Sequence, residues 1–182
     1  MNLYHYTSIY HLLGLLESNQ IKTTESNASF RIEHLAADVV WLTSNASPSF
    51  EASLLGSFVD KKQVRITVDV PAVPYMEWAK ENNVSREVIR QLDQFGGKQK
   101  KNWHVIERPI PSLEWKQIDL YDYDKSRWVP YCDTYHKALL GKIKVFGEKE
   151  NFRLADEHSD QMLQIFNYLG LPYQEYLDIA VE

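Results

Sequence analysis

The chain is poor in cysteine: Cys132 is the single one among 182 residues. An internal disulfide and a zinc site of the multi-cysteine kind are therefore both excluded. Long apolar runs are also missing, with nothing near the roughly 20 consecutive residues that cross a bilayer as a helix. The opening Met-Asn-Leu-Tyr-His has neither the basic flank nor the apolar stretch of a secretion signal. A membrane partner is not expected, and a cytoplasmic protein is. Basic charge is in deficit, since 20 Lys and Arg against 25 Asp and Glu leave a net charge of −5. That argues against a protein that coats nucleic acid through a basic face, although an enzyme touching nucleic acid locally remains compatible with it. Neither G-x-G-x-x-G nor a Walker loop occurs, so any nucleotide would be held outside a Rossmann framework. The six histidines (5, 11, 34, 104, 136 and 158) show no paired spacing, and no metal is expected.

What is present is an ordinary globular composition, 44% apolar and 25% charged. This suits one domain with a real core. Leu3 to Tyr6 reads as a strand, and Ser8 can cap a helix whose apolar face is Ile9, Leu12, Leu13 and Leu16. The helix should stop near Ser18-Asn19, with a short strand over Gln20 to Thr23 and a polar loop over residues 25–37. Val39 to Thr43 reads as a strand buried on both faces, and a short helix is expected near Pro48. Val64, Ile66, Val68 and Val70 alternate with polar residues, the period of a half-buried strand. Helices are expected over Tyr75 to Lys80 and from Ser85 to about Phe95, the second ended by Gly96-Gly97. Further strands are expected over Trp103 to Glu107, stopped by Pro109 and Pro111, and over Trp115 to Tyr121. From Lys125 onward the expectation is an aromatic loop, then helices over roughly Asp156 to Tyr168 and after Pro172. The class is α+β, with a core over residues 1–124 and a helical extension over residues 125–182.

Chemistry concentrates at Tyr4-His5-Tyr6-Thr7-Ser8, a strand-to-helix junction where backbone N–H groups and hydroxyls converge. Period 2 sets Tyr4 and Tyr6 on one face, His5 and Thr7 on the other. The plainer reading has Ser8 as a cap and His5 as a packed core histidine. Elsewhere Glu107 ends a strand and Glu114 follows shortly after. Arg31 suits a bidentate phosphate contact or a pairing with Glu33 or Asp38. Lys98, Lys100 and Lys101 precede Trp103 as a basic patch with a nearby aromatic, which can hold nucleic acid, although a charge run beside Gly-Gly is usually a solvated loop. Cys132 and His136 stand at helical spacing, without a visible activating context. Tyr121, Tyr123, Trp128, Tyr131 and Tyr135 can line an acceptor site or dock the extension; docking is the reading preferred here.

Leu-Tyr-His-Tyr-Thr-Ser, a leucine-rich helix, Ile-Lys and a Val-Trp-Leu-Thr strand together resemble the ADP-ribosyltransferase-like fold. The similarity is to its small bacterial and phage members, DarT-type toxins among them, and to the first motif of the His-Tyr-Glu branch. It covers roughly residues 3–121. The resemblance implies a split β-sheet with peripheral helices, and an enzyme that consumes NAD and passes ADP-ribose to protein or nucleic acid, as in phage–host conflict. It implies that His5 binds the adenosine-side ribose while Tyr6, Thr7 and Ser8 hold the nicotinamide end. Trp41, Thr43 and Ser44 would shape the pocket and Arg31 would meet the diphosphate. The family tyrosine is absent from Val39 to Asn45, so Phe50 or an N-terminal tyrosine would have to stack in its place. A carboxylate is needed because cleaving the ribose–nicotinamide bond builds positive charge on the ribose carbon. Glu107 is the expected carboxylate and Glu114 its competitor.

Overall fold

The computed structural model describes residues 1–24, 36–47, 61–122 and 124–140. The chain starts in β1 (Leu3–Thr7) and turns at once into α1 (Ile9–Ser18). Ser8 makes the turn by capping the helix, its hydroxyl accepting the His11 backbone N–H at 3.1 Å. Ile9 and Leu12 of α1 are buried, and Leu13 and Leu16 pack beside them, as the spacing predicts. Asn19 ends α1 with φ 53°, a left-handed conformation that asparagine tolerates.

Seven strands form the main sheet, in the order β5-β6-β3-β1-β4-β8-β9. They are β3 (Val40–Thr43), β4 (Val64–Val68), β5 (Val73–Pro74), β6 (Trp103–Ile106), β8 (Trp115–Asp122) and β9 (Arg127–Pro130), with β1 in the middle. A second sheet pairs β2 (Gln20–Ile21) with β7 (Ile110–Pro111). Every strand pairing is antiparallel among the described residues, so the class is mixed α+β. Two helices, α2 (Tyr75–Glu81) and α3 (Arg86–Gly96), come between β5 and β6, and α4 (Asp133–Leu140) follows β9.

The ladder is uneven. β1 runs in register with β4 from Leu3↔Val68 to Thr7↔Val64. β3 runs in register with β6 from Val40↔Ile106 to Thr43↔Trp103. Between β1 and β3 the only registered pair is Tyr4↔Thr43. The sheet therefore has a seam at its centre, with β5-β6-β3 on one side and β1-β4-β8-β9 on the other.

Strand alternation sorts the two faces. Leu3, Val40, Leu42, Val64, Ile66, Val68 and Leu120 lie on one face with Ile9 and Leu12 of α1, forming the first core. Trp103 and Val105 lie on the other face, where α2 and α3 add Tyr75, Trp78, Ala79, Val88 and Leu92 as a second core.

The structure adds elements that the sequence expectations lack. Pro109 and Pro111 do not simply end the strand run, because Ile110–Pro111 pairs with β2; a two-stranded edge spares proline the missing hydrogen bond. Gly96 ends α3 as expected, and a 3-10 turn over Gly97–Asn102 follows it. The stretch after Lys125 is not all loop. Arg127–Pro130 joins the main sheet, where Tyr121 and Trp128 are a registered pair with rings 5.1 Å apart; such a cross-strand aromatic pair stabilises the added strand. The expected loop over residues 25–37 falls mostly outside the described residues, as do the helices expected near Pro48, over 156–168 and after Pro172.

Candidate functional site

His5 lies at the seam. β1 and β3 share no registered pair beyond Tyr4↔Thr43, and the His5 ring reaches across, with Nδ1 3.1 Å from the Trp41 carbonyl. A carbonyl has no proton to give, so Nδ1 carries the hydrogen and donates it. The neutral ring then presents Nε2 as an acceptor, and that atom makes no hydrogen bond among the described residues. Burial pushes the imidazole below its ordinary value; the Trp41 carbonyl opposes this and the Lys61 ammonium adds to it. His5 is neutral at pH 7 for a physical reason: it is half-buried beside a positive charge.

Thr7 shares the face of His5 and is buried. Its hydroxyl makes no hydrogen bond among the described residues. Ser8 is occupied as the cap, and its Oγ also lies 3.0 Å from His11 Nδ1. His104 is on this face too, in register with Leu42, and its Nδ1 is 2.9 Å from the Asn102 carbonyl.

The other expected residues lie elsewhere. Tyr6 projects from the opposite face, donates its hydroxyl to the Asn45 carbonyl at 3.0 Å, and sits 5.9 Å from the Trp128 ring. The Trp41 ring lies 4.8 Å from Tyr75 and 5.9 Å from Trp103, inside the second core. Burial raises the Tyr75 phenol to about 12. Thr43 is buried and accepts the Asn45 N–H at 3.1 Å. Ser44 pairs with the Asn102 carbonyl through its backbone N–H at 2.9 Å. Arg31 and Phe50 lie outside the described residues.

Glu107 follows the end of β6 and is exposed. Its Oε1 accepts the Trp78 indole N–H at 2.5 Å, on the side of the sheet that α2 covers. Strand alternation gives the same answer, since His104 shares the His5 face and Glu107 is three residues further on. His5 and Glu107 therefore do not converge on one cleft. Glu114 is partly buried and held by Arg108, whose two terminal nitrogens donate to its two oxygens at 3.0 and 2.8 Å.

Cys132 and His136 do sit one helical turn apart, with the His136 N–H on the Cys132 carbonyl at 2.8 Å. Yet Cys132 is exposed whereas His136 is fully buried and donates Nε2–H to the Ile9 carbonyl at 3.2 Å. They form no nucleophile–base pair. Tyr131 and Tyr135 pack against the first core, so they dock β9 and α4. Among the described residues no group of three or more His, Cys, Asp and Glu lies close enough to hold a metal ion. No helix among them is long and apolar enough to cross a membrane.

Two basic residues escaped the sequence reading. Lys61 precedes β4 and is half-buried at the His5 end of the seam; nothing in Lys-Lys-Gln distinguishes it from a solvated turn. Arg65 carries a readable signal, since it and Asp119 are polar positions of two alternating strands. Those strands pair with Arg65 opposite Asp119. Arg65 donates Nε and Nη2 to Asp119 Oδ2 at 3.2 and 2.8 Å, and its guanidinium lies 4.5 Å from the Trp128 ring centre and 5.4 Å from that of Tyr4.

Compared with known proteins, the chain matches no family model, no curated protein and no solved structure.

Proposed function

We propose that this chain is a nucleotide-binding domain of ADP-ribosyltransferase-like design, taking NAD or a dinucleotide of the same kind at the seam beside His5. The observation that carries this reading is the fixed imidazole. Its Nδ1–H is spent on the Trp41 carbonyl, its neutral Nε2 is left to accept a ribose hydroxyl, and its half-burial keeps water from competing fully for that bond. The split between β1 and β3 is in keeping with the split sheet that the sequence resemblance implies. Binding rather than turnover is favoured because both candidate carboxylates are directed elsewhere, Glu107 to Trp78 and Glu114 to Arg108.

A second reading keeps the catalysis: transfer of ADP-ribose from NAD to a protein or nucleic acid acceptor in the cytoplasm, of the kind used in phage–host conflict. Glu107 supports it in one respect, being exposed with one carboxylate oxygen fixed by an indole. For this chemistry the ribose would have to reach Glu107 past the β3–β6 half-sheet.

Calorimetric titration of NAD into the wild type and into His5→Ala separates these readings. Saturable binding that weakens about tenfold or more in His5→Ala is expected, the value of a hydrogen bond lost from a desolvated site. Absence of binding by the wild type overturns the proposal. Nicotinamide release by the wild type that disappears in Glu107→Gln replaces it with the transferase.

A further inference from the structure

On the His5 face of the seam three polar side chains make no hydrogen bond to the described residues: His5 through Nε2, Thr7 through its hydroxyl, and Lys61. The chain places Lys61 there. Val64 pairs with Thr7 in the β1–β4 ladder, and Lys61 lies three residues upstream, just past the Thr7 end of β1. Next to it Gln63 fastens this turn to the start of α1, its Oε1 accepting the Ile9 N–H at 3.3 Å. The Lys61 ammonium is half-buried and makes no ion pair or hydrogen bond among the described residues, unlike Lys116, Lys125 and Lys137, each of which meets an aspartate.

A partly desolvated cation beside a neutral acceptor is costly to leave empty. The charge acting on His5 from outside its own strand pair is positive and comes from Lys61. Burial likewise holds the Lys61 ammonium below its ordinary value. His104, on the same face, already meets the Asn102 carbonyl through Nδ1. An anion next to Lys61 would relieve both groups at once.

We propose that Lys61 is the phosphate-binding residue of the seam: it takes the diphosphate of a nucleotide whose ribose hydroxyl bonds His5 Nε2, with the Thr7 hydroxyl as a further donor to the phosphate oxygens. The chemical class of ligand is thereby narrowed to one carrying a phosphate close to a ribose, which is the arrangement in any nucleoside diphosphate. The assignment rests on the nucleotide reading for the ribose half; the anion half stands on Lys61 alone.

The test uses inorganic pyrophosphate and NAD on the whole chain, wild type, Lys61→Gln and Lys61→Arg. His5 ring resonances are assigned with His5→Ala. Pyrophosphate is expected to move the wild-type His5 resonances and raise its titration midpoint, because an anion placed by Lys61 favours the imidazolium. The effect should vanish in Lys61→Gln and survive in Lys61→Arg. NAD affinity should fall about tenfold in Lys61→Gln, as expected for a lost charge-assisted bond, and should lose much of its salt dependence.

A Lys61→Gln variant that binds NAD as the wild type does overturns the Lys61 assignment and leaves the nucleotide reading standing. Pyrophosphate binding without NAD binding keeps the anion subsite and overturns the nucleotide reading. No response of His5 to pyrophosphate, with wild-type NAD affinity in Lys61→Gln, removes the subsite altogether.

Discussion

Arg65 and Asp119 form the most enclosed ion pair described, with side chains 16% and 3% exposed. Two rings flank the guanidinium, the Ala46 carbonyl takes Nη1 at 2.9 Å, and Gln117 donates to the second Asp119 oxygen. Removing Asp119 leaves the guanidinium with the Ala46 carbonyl and the two rings but without its carboxylate. Asp119→Ala should therefore cost about 3 kcal/mol, the low end for a broken buried pair because Arg65 keeps some contact with water. Urea unfolding of wild type and variant reads this directly, and a loss under about 1 kcal/mol would mean the pair behaves like an exposed one. Glu107→Gln is a different case. Its amide oxygen can still accept from the Trp78 indole, and it sits across the sheet from His5, so NAD affinity should not change; a tenfold loss would place Glu107 in the binding site after all.

The helices depend on single junctions. The Ser8 hydroxyl accepts the His11 N–H at the start of α1, so Ser8→Ala should lower stability by about 1 kcal/mol, measurable as a shift of the urea midpoint. Helix α4 is held to α1 by His136, whose Nε2–H meets the Ile9 carbonyl while its buried Nδ1 has no partner. A second proton on Nδ1 would have nothing to bond. Burial lowers this imidazole below its ordinary 6.5, with the Ile9 carbonyl and Asp133 opposing and Lys137 assisting. The Tyr131 ring lies 5.6 Å away. The unfolded chain therefore takes up the proton first as pH falls. The stability due to neutral burial is complete above pH 6.5 and drains away below it. Hydrogen-exchange protection in α4, taken against the intrinsic rate at each pH, should fall between about pH 7 and pH 5, and His136→Leu should flatten that dependence. An equal fall in His136→Leu would assign the effect elsewhere.

The molecule as a whole should lose stability to acid in two steps. His5 and His136 both have lowered values, so both contribute in the window below 6.5. Asp69 and Asp122 are also lowered, Asp69 chiefly by Lys116 and the N-terminal ammonium, Asp122 chiefly by Lys125. Their contribution is present above 3.8 and disappears as pH falls through the still lower folded values. A urea-midpoint profile against pH should show a first decline below about 6.5 and a second below about 4. A nucleotide bound beside His5 should raise the whole curve through mass action.

Much of this could be read along the chain, because local rules govern it. The His5/Tyr6 division of β1, the cap at Ser8, the end of α1 at Asn19 and the helices at Tyr75 and near Arg86 follow from period, capping and turn chemistry between near neighbours. Others depend on distant segments. Ile110–Pro111 becomes a strand only because Gln20–Ile21 lies beside it, and Arg127–Pro130 only because Trp128 meets Tyr121 across the ladder. Trp41 becomes core rather than pocket because α2 brings Tyr75 over it. The seam between β1 and β3, the opposite faces taken by His5 and Glu107, and the approach of Lys61 to His5 are all matters of register between strands far apart in sequence. One residue of slip would exchange those faces, so period alone names a residue's neighbours on its own strand, and only the folded sheet says what lies across from it.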